Sequence, residues 1–237
     1  MVKNTVPSTD LQRSDNTPTA FGMSRCRAPN DTIAAMLFPR LISPEVAHSF
    51  LRILWSDVIN QRVPTQTHRQ ELLKRDAIEI HGKNYAPLMA LHWGLTTAVE
   101  QRTGKELLPS FAFFRLYFEG DVCRVHADRP ACEVSASLTL AYSDERPWVL
   151  SIASTPATDG LGVTEDFGGE PFESFLTAPG DAVLYSGSHY RHGRPTPNSN
   201  RWSAHIFLQW VSRGGPYEAD AFERLELGER PVGGPTI

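Results

Sequence analysis

Beyond Leu108-Pro109 the chain breaks into short runs of aromatic, aliphatic and β-branched residues, and this texture narrows the fold more than anything else in it. The runs are "FAFFRLYF" (111–118), "CEVSASLTLAY" (132–142), "PWVLSIAS" (147–154), "DAVLYS" (181–186) and "SAHIFLQWVS" (203–212), separated by Gly, Pro, Asp and Asn. Segments of this length and composition read as strands bounded by turns. Many short strands following a helical stretch predict a mainly β architecture with helical support (α+β), a sandwich or barrel braced by helices. The segment 155–174, "TPATDGLGVTEDFGGEPFES", is too long and polar for a tight hairpin, and reads either as a lid over a site or as an exposed insert.

The helical support is expected over 31–108. Ser43-Pro44-Glu45 has the form of a helix start, with Ser43 as N-cap and proline in the first turn, and Val46, Phe50, Ile53, Leu54 and Val58 recur at helical spacing as far as about Asn60. A second helix is predicted from about Tyr85 to Arg102, with Leu88, Leu91, Leu95 and Val99 as its apolar stripe and Gly104 as its stop. Residues 1–30 are polar and read as a loose tail, 109–212 as the β core, and 213–237 as a C-terminal extension. A net charge of -4 argues against nucleic acid and anionic membrane as partners, and no apolar run is long enough to span a bilayer. Cys26, Cys123 and Cys132 form no CxxC pair, which suits reduced thiols, and the N-terminus shows no secretory h-region; a cytoplasmic protein is the expectation.

Within "RVHADR" (124–129), His126 and Asp128 stand at i and i+2, so on a strand they point to one face. An imidazole and a carboxylate on one face can share a metal, and a third ligand must come from elsewhere. "GDAVLYSGSHYRHGR" (180–194) offers His189 and His192, in the loop expected after a short strand. His192 is preferred, because Gly193 beside it allows close backbone approach. Two His and one carboxylate with open positions is the ligand set of non-haem Fe(II) oxygenases. Further on, alternation over Ser203–Val211 puts Arg201, Ser203, His205, Phe207 and Gln209 on one face. A guanidinium fork with a hydroxyl beside it can bind a carboxylate.

His126-x-Asp128, the distal His192 and Arg201-Trp202-Ser203 nine residues later together resemble the signature of the Fe(II)/2-oxoglutarate-dependent dioxygenases. "LYFEGDVCRVHADRPACEVS" is similar to the prolyl-hydroxylase-like branch, in which Tyr-x-x-Gly precedes His-x-Asp. The likeness spans about Phe111 to Val211. It implies a double-stranded β-helix (jelly roll) core with Fe(II) held by the catalytic His126, Asp128 and His192. It also implies that 2-oxoglutarate is bound through Arg201, Ser203 and Tyr117, with O2 as oxidant and ascorbate as reductant. The expected reaction is hydroxylation of an unactivated C–H bond, with 2-oxoglutarate decarboxylated to succinate and CO2. Members that halogenate lack the carboxylate, so Asp128 speaks against halogenation. In place of a second tyrosine found in many prolyl-hydroxylase-like members, this chain has Asp121-Val122-Cys123.

The substrate expected is a small molecule such as an amino acid or secondary metabolite, with a peptide less favoured. Arg129 and His189 are the candidate substrate contacts, although Arg129 could instead pair with Glu133 or Asp128. Arg115, Arg124, Arg191 and Arg194 read as solvated or structural, yet their number makes a carboxylate-bearing substrate reasonable. His205 is expected to be a core histidine rather than a pocket residue. A different class, a jelly-roll metal-binding or small-molecule-sensing module without oxygen chemistry, would need the three metal ligands but not Arg201-Trp202-Ser203. A hydrolytic zinc site could use the same ligands, but no further general base stands at a fixed spacing.

Overall fold

The computed structural model describes residues 33–68, 71–158 and 162–223. The tail expected over 1–30 and the end of the C-terminal extension lie outside the described residues. In chain order the elements are β1 (Ala35–Phe38), α1 (Pro44–Ile59), β2 (Gln66–His68), β3 (Ala77–His81), α2 (Ala86–Thr103), β4 (Leu107–Phe118), β5 (Cys123–His126) and β6 (Val134–Tyr142). There follow β7 (Leu150–Ala153), β8 (Phe172–Phe175), β9 (Ala182–Tyr185), β10 (His192–Arg194) and β11 (Trp202–Ser212).

These strands make a jelly roll. A seven-stranded antiparallel sheet runs β1-β9-β6-β11-β4-β3-β2, and a four-stranded one runs β5-β10-β7-β8. Alternation along β11 explains how the large sheet serves two environments. Ala204, Ile206, Leu208 and Trp210 join the main apolar core with Phe114, Leu138, Leu184 and the helix residues Leu54, Leu88 and Val99. Ser203, His205, Phe207 and Gln209 occupy the opposite face, toward the small sheet. The helices thus cover the outer face of the large sheet and leave its inner face for a cavity.

Both helices begin and end where the sequence signals them. The Ser43 hydroxyl accepts a hydrogen bond from the Val46 N–H at 3.3 Å, capping α1. Gly104 ends α2 in the left-handed region at φ 71°, where a side chain would be strained. The region between the helices supplies β2 and β3, which extend the large sheet beyond β4. In β3 the apolar Ile80 packs toward the helices, whereas Glu79 and His81 face the cavity.

His92 in α2 is buried, with its ring edge-on to Trp210 at a centroid distance of 4.8 Å. Burial holds its pKa down at about 3. The unfolded chain binds a proton at this imidazole near pH 6.5 and the folded chain does not, so folding stability falls as pH drops from about 6.5 toward 3, by about 1.4 kcal/mol per unit. His92→Gln should therefore lose about 2–3 kcal/mol less than the parent protein between pH 7 and 4.5. Denaturant unfolding at the two pH values checks this, and equal losses would remove His92 as a source of acid sensitivity.

Candidate metal centre

His126 closes β5 and His192 opens β10, and antiparallel pairing sets them directly opposite each other, with ring centroids 4.4 Å apart. The expectation that His192 lies in a loop is corrected: it lies in a short strand paired on both sides, to His126 on β5 and to Ile152 on β7. Asp128 follows β5, and its backbone N–H donates to the Gly187 carbonyl at 2.9 Å. Its Oδ1 is 3.6 Å from His126 Nε2 and its Oδ2 is 3.6 Å from His192 Nε2. These gaps exceed a hydrogen bond and are slightly wider than the ~3–3.4 Å edge of a ligand set with bonds near 2.1 Å. One donor atom from each of the three side chains lies within 4.8 Å of the others, the arrangement needed to hold one ion.

The orientation of the rings suits a metal. His126 Nδ1 is 2.8 Å from the Arg124 carbonyl and His192 Nδ1 is 3.0 Å from the Tyr190 carbonyl. A carbonyl only accepts, so each imidazole carries a proton on Nδ1, which leaves Nε2, the nitrogen facing Asp128, as the atom that can give a lone pair to a metal. Burial would raise the Asp128 carboxyl, but the neighbouring His192 and His126 outweigh it and hold the pKa at about 2. Burial lowers the His192 pKa to about 4 despite the carboxylate beside it. The cluster therefore offers two imidazole nitrogens and one ionised carboxylate. That donor set fits Fe(II), and also zinc.

Two glycines make the close approach possible. A Cβ on Gly193, between His192 and Arg194, would sit 2.8 Å from the Cys123 carbonyl and 3.0 Å from that of Arg124, prying β10 from β5. A Cβ on Gly187 would lie 2.2 Å from Asp128 Oδ2 and 2.7 Å from Ser135 Oγ. Gly187→Ala should therefore displace the carboxylate and weaken metal binding by roughly 10–100-fold, the range seen when ligand-orienting contacts are lost. Calorimetric titration with Ni(II) checks this, and an unchanged affinity would mean that Asp128 is not a ligand in this position.

The three residues line a cavity of about 210 Å³ between the sheets. Tyr117 is fully buried in its wall, where burial pushes the phenol pKa up. Arg201 does not reach the cavity. Its side chain is 73% exposed, with Nε 3.3 Å from Asp144 Oδ1 on the outer surface. Asp144 also accepts the Arg201 backbone N–H at 2.8 Å, so the turn after β6 holds this residue outward from the start of β11. Ser203 is buried on the inner face, but its hydroxyl accepts from Asn198 Nδ2 at 3.0 Å and does not line the cavity. The carboxylate site expected from Arg201 and Ser203 is thus not assembled. His189 is also on the surface, its Nδ1 3.0 Å from each of the Ser186 and Ser188 hydroxyls, and does not line the cavity. Arg129 does line the cavity, its guanidinium 4.8 Å from the centroid of the Phe111 ring. His205 is fully buried and lies outside the lining.

Two other guanidinium groups enter the cavity wall. Arg115 is neutralised: its Nε and one terminal nitrogen each lie 2.6 Å from Glu79 Oε1, and its other terminal nitrogen donates to the Tyr117 hydroxyl at 3.1 Å. Arg194 is not. It is 1% exposed, donates to the Trp148 carbonyl and, at 3.2 Å, to the Ser137 hydroxyl, and stacks 5.2 Å from the Trp148 ring centroid. Among the described residues no carboxylate lies within salt-bridge distance of it. An unpaired buried charge is costly unless an anion arrives to meet it. Arg194 stands two residues beyond His192 on β10, and both line the cavity even though the pairing with β5 shifts register between them. That i, i+2 spacing repeats the pattern of His126 and Asp128, and it was the signal available in the sequence.

The segment 155–174 ends in β8, the edge strand of the small sheet, and its described residues before that are tied to the outside of the same sheet. Arg191 donates to Glu170 Oε2 at 3.1 Å, Thr164 bridges Val125, and Phe167 packs with Val125 and Ala153. None of its described residues lines the cavity.

No family model and no curated protein matches the sequence. Solved structures do match the fold. AviO1 from Streptomyces viridochromogenes Tue57 superposes with a TM-score of 0.58 at 13% identity, over 78% of this chain and 93% of that one. HygX from Streptomyces hygroscopicus, solved with nickel, 2-oxoglutarate and hygromycin B bound, gives 0.56 at 13% identity over 77% and 84%. A Pseudomonas putida prolyl-4-hydroxylase gives 0.54 at 15% identity over 76% and 94%. The chain therefore has the jelly-roll fold on which Fe(II)/2-oxoglutarate oxygenases are built. No helix among the described residues is long and apolar enough to cross a membrane.

Proposed function

We propose that this protein is an Fe(II)/2-oxoglutarate-dependent dioxygenase that hydroxylates a C–H bond of a small molecule. The observation that carries the reading is Arg194, a buried guanidinium without a counter-ion in the cavity that also holds the His126, Asp128 and His192 cluster. A metal and a dicarboxylate answer both needs at once. The fold likeness to HygX, a protein solved with 2-oxoglutarate and a small molecule bound, supports the same reading.

Each residue then has a physical task. His126 and His192 present lone pairs fixed by their Nδ1 hydrogen bonds, and Asp128 supplies the negative charge, so the ion keeps a net positive charge that favours an anionic chelate. Arg194 binds the remote carboxylate of 2-oxoglutarate and, with Ser137 and Trp148 fixing its direction, sets the orientation of the diacid toward the metal. Buried Tyr117 and Leu150 line the same cavity and keep it poor in water. Bound Fe(II) with 2-oxoglutarate and O2 would supply the oxidation of the C–H bond, releasing succinate and CO2.

The protein incubated with Fe(II), ascorbate and 2-oxoglutarate should form succinate, slowly alone and faster with a correct substrate. Anaerobic addition of Fe(II) and 2-oxoglutarate should give a weak visible charge-transfer band. Metal binding without that band and without succinate would favour a metal-binding or sensing module instead.

A further inference from the structure

The cavity has a second wall, on the large sheet, that the metal and diacid do not use. Phe113 on β4 and Phe207 on β11 are cross-strand partners stacked at 4.8 Å with an interplanar angle of 17°. Phe111 continues the wall, 5.5 Å from Phe113. All three rings are part-exposed and line the cavity, so their uncovered surface faces its interior. Beside them Gln209 is 6% exposed, lines the cavity, and its Oε1 has no hydrogen-bond partner. A buried carbonyl oxygen left in this state requires a donor from a ligand or a trapped water.

Charge decides the sign of what fits. Asp128 belongs to the metal, Arg194 to the diacid, and Arg115 and Glu79 neutralise each other. Arg129 remains, at the exposed rim, with no carboxylate within salt-bridge distance among the described residues. An ammonium substrate drawn to these rings would meet two guanidinium groups of its own sign close beside them. Arg129 lies 4.8 Å from the Phe111 centroid, and Arg115 lies 4.9 Å from that of Phe113 and 5.6 Å from that of Phe207. A second cation would be repelled and an anion drawn in. The cavity of about 210 Å³ is below the usual range for drug-sized ligands and has to admit the metal and the diacid as well, so a guest of one ring suits it better than a polycycle.

The geometry points to a monocyclic aromatic acid as the substrate class, its ring against Phe111, Phe113 and Phe207, its anionic group toward Arg129, and a hydroxyl or N–H donor toward Gln209. This deepens the oxygenase reading and rests on it for the identity of the reaction, though not for binding. The test is calorimetric titration of the metal-free protein and of the protein loaded with Ni(II) and 2-oxoglutarate. Four probes separate the features: 4-hydroxyphenylacetate, tyramine (same ring, cationic), 4-cresol (same ring, neutral) and hexanoate (anionic, no ring).

4-Hydroxyphenylacetate should bind at least tenfold more tightly than each of the other three. Arg129→Gln should weaken it about tenfold while leaving 4-cresol unchanged, and Gln209→Leu should weaken it severalfold, with circular dichroism establishing that both variants fold. The proposal is overturned if tyramine or hexanoate binds as well, if none of the four binds, or if Arg129→Gln has no effect. Binding of the aromatic acid by a protein that takes up neither Ni(II) nor 2-oxoglutarate would overturn the oxygenase reading and leave this one standing. Uptake of both without the aromatic acid would do the reverse.

Discussion

Arg194→Gln should abolish tight binding of 2-oxoglutarate while leaving the protein at least as stable as its parent. A guanidinium buried without an acid partner destabilises the ligand-free fold, because its desolvation is not repaid by an ion pair. Removing it relieves that cost. Removing it also leaves the diacid's remote carboxylate buried with no counter-charge, a loss of about 3 kcal/mol or roughly a hundredfold in affinity. Thermal melts with and without 2-oxoglutarate in the presence of Ni(II) read both effects, since a ligand raises the midpoint only in proportion to its affinity for the folded state. Arg201→Gln is the contrasting variant. Its side chain is 73% exposed, outside the cavity and paired with Asp144, so 2-oxoglutarate should stabilise that protein as it does the parent. The reverse outcome, loss in Arg201→Gln and retention in Arg194→Gln, would falsify the assignment of the diacid site.

Asp128→Ala should lose metal affinity by well over the roughly 100-fold that follows disturbance of a ligand's supporting contacts. Two considerations make this the larger metal effect. Asp128 is the only anion in the cluster, and it lies between the two imidazoles, 3.6 Å from each Nε2. Without it, two neutral nitrogens remain facing a divalent ion that must give up its water shell. Succinate formation should fall with metal occupancy and should not recover when 2-oxoglutarate is raised. His189→Ala, in an exposed residue away from the cavity, should match the parent in both respects. Near-parent metal affinity in Asp128→Ala would move the metal elsewhere.

The strand-rich half and both helices were legible because their signals are local. Ser43 caps α1 and Gly104 ends α2 in a conformation that glycine adopts without strain. The long alternating run of β11 separates core residues from inner-face residues over its whole length. His126 and Asp128 were legible for the same reason, as an alternation of two ligands. What stayed hidden depends on distant chain. β10 has three residues between turns, too few for any periodicity, so His192 and Arg194 read as loop. β3 alternates, but its polar residues point inward to a cavity, reversing the usual relation between polarity and burial. Arg201 has the spacing that the family resemblance calls for. Its direction, however, is decided by Asp144, fifty-seven positions earlier, and no motif records that contact.

The division of labour between the sheets has a consequence for how such a protein can change. The candidate metal ligands and Arg194 sit on or just beyond β5 and β10 of the small sheet, while the rings and the amide that line the opposite wall of the cavity sit on β4 and β11 of the large one. On the proposed reading, a new guest can be accommodated by changes on β4 and β11 that leave the metal cluster alone, whereas a change at Arg129, the residue after Asp128, would touch both.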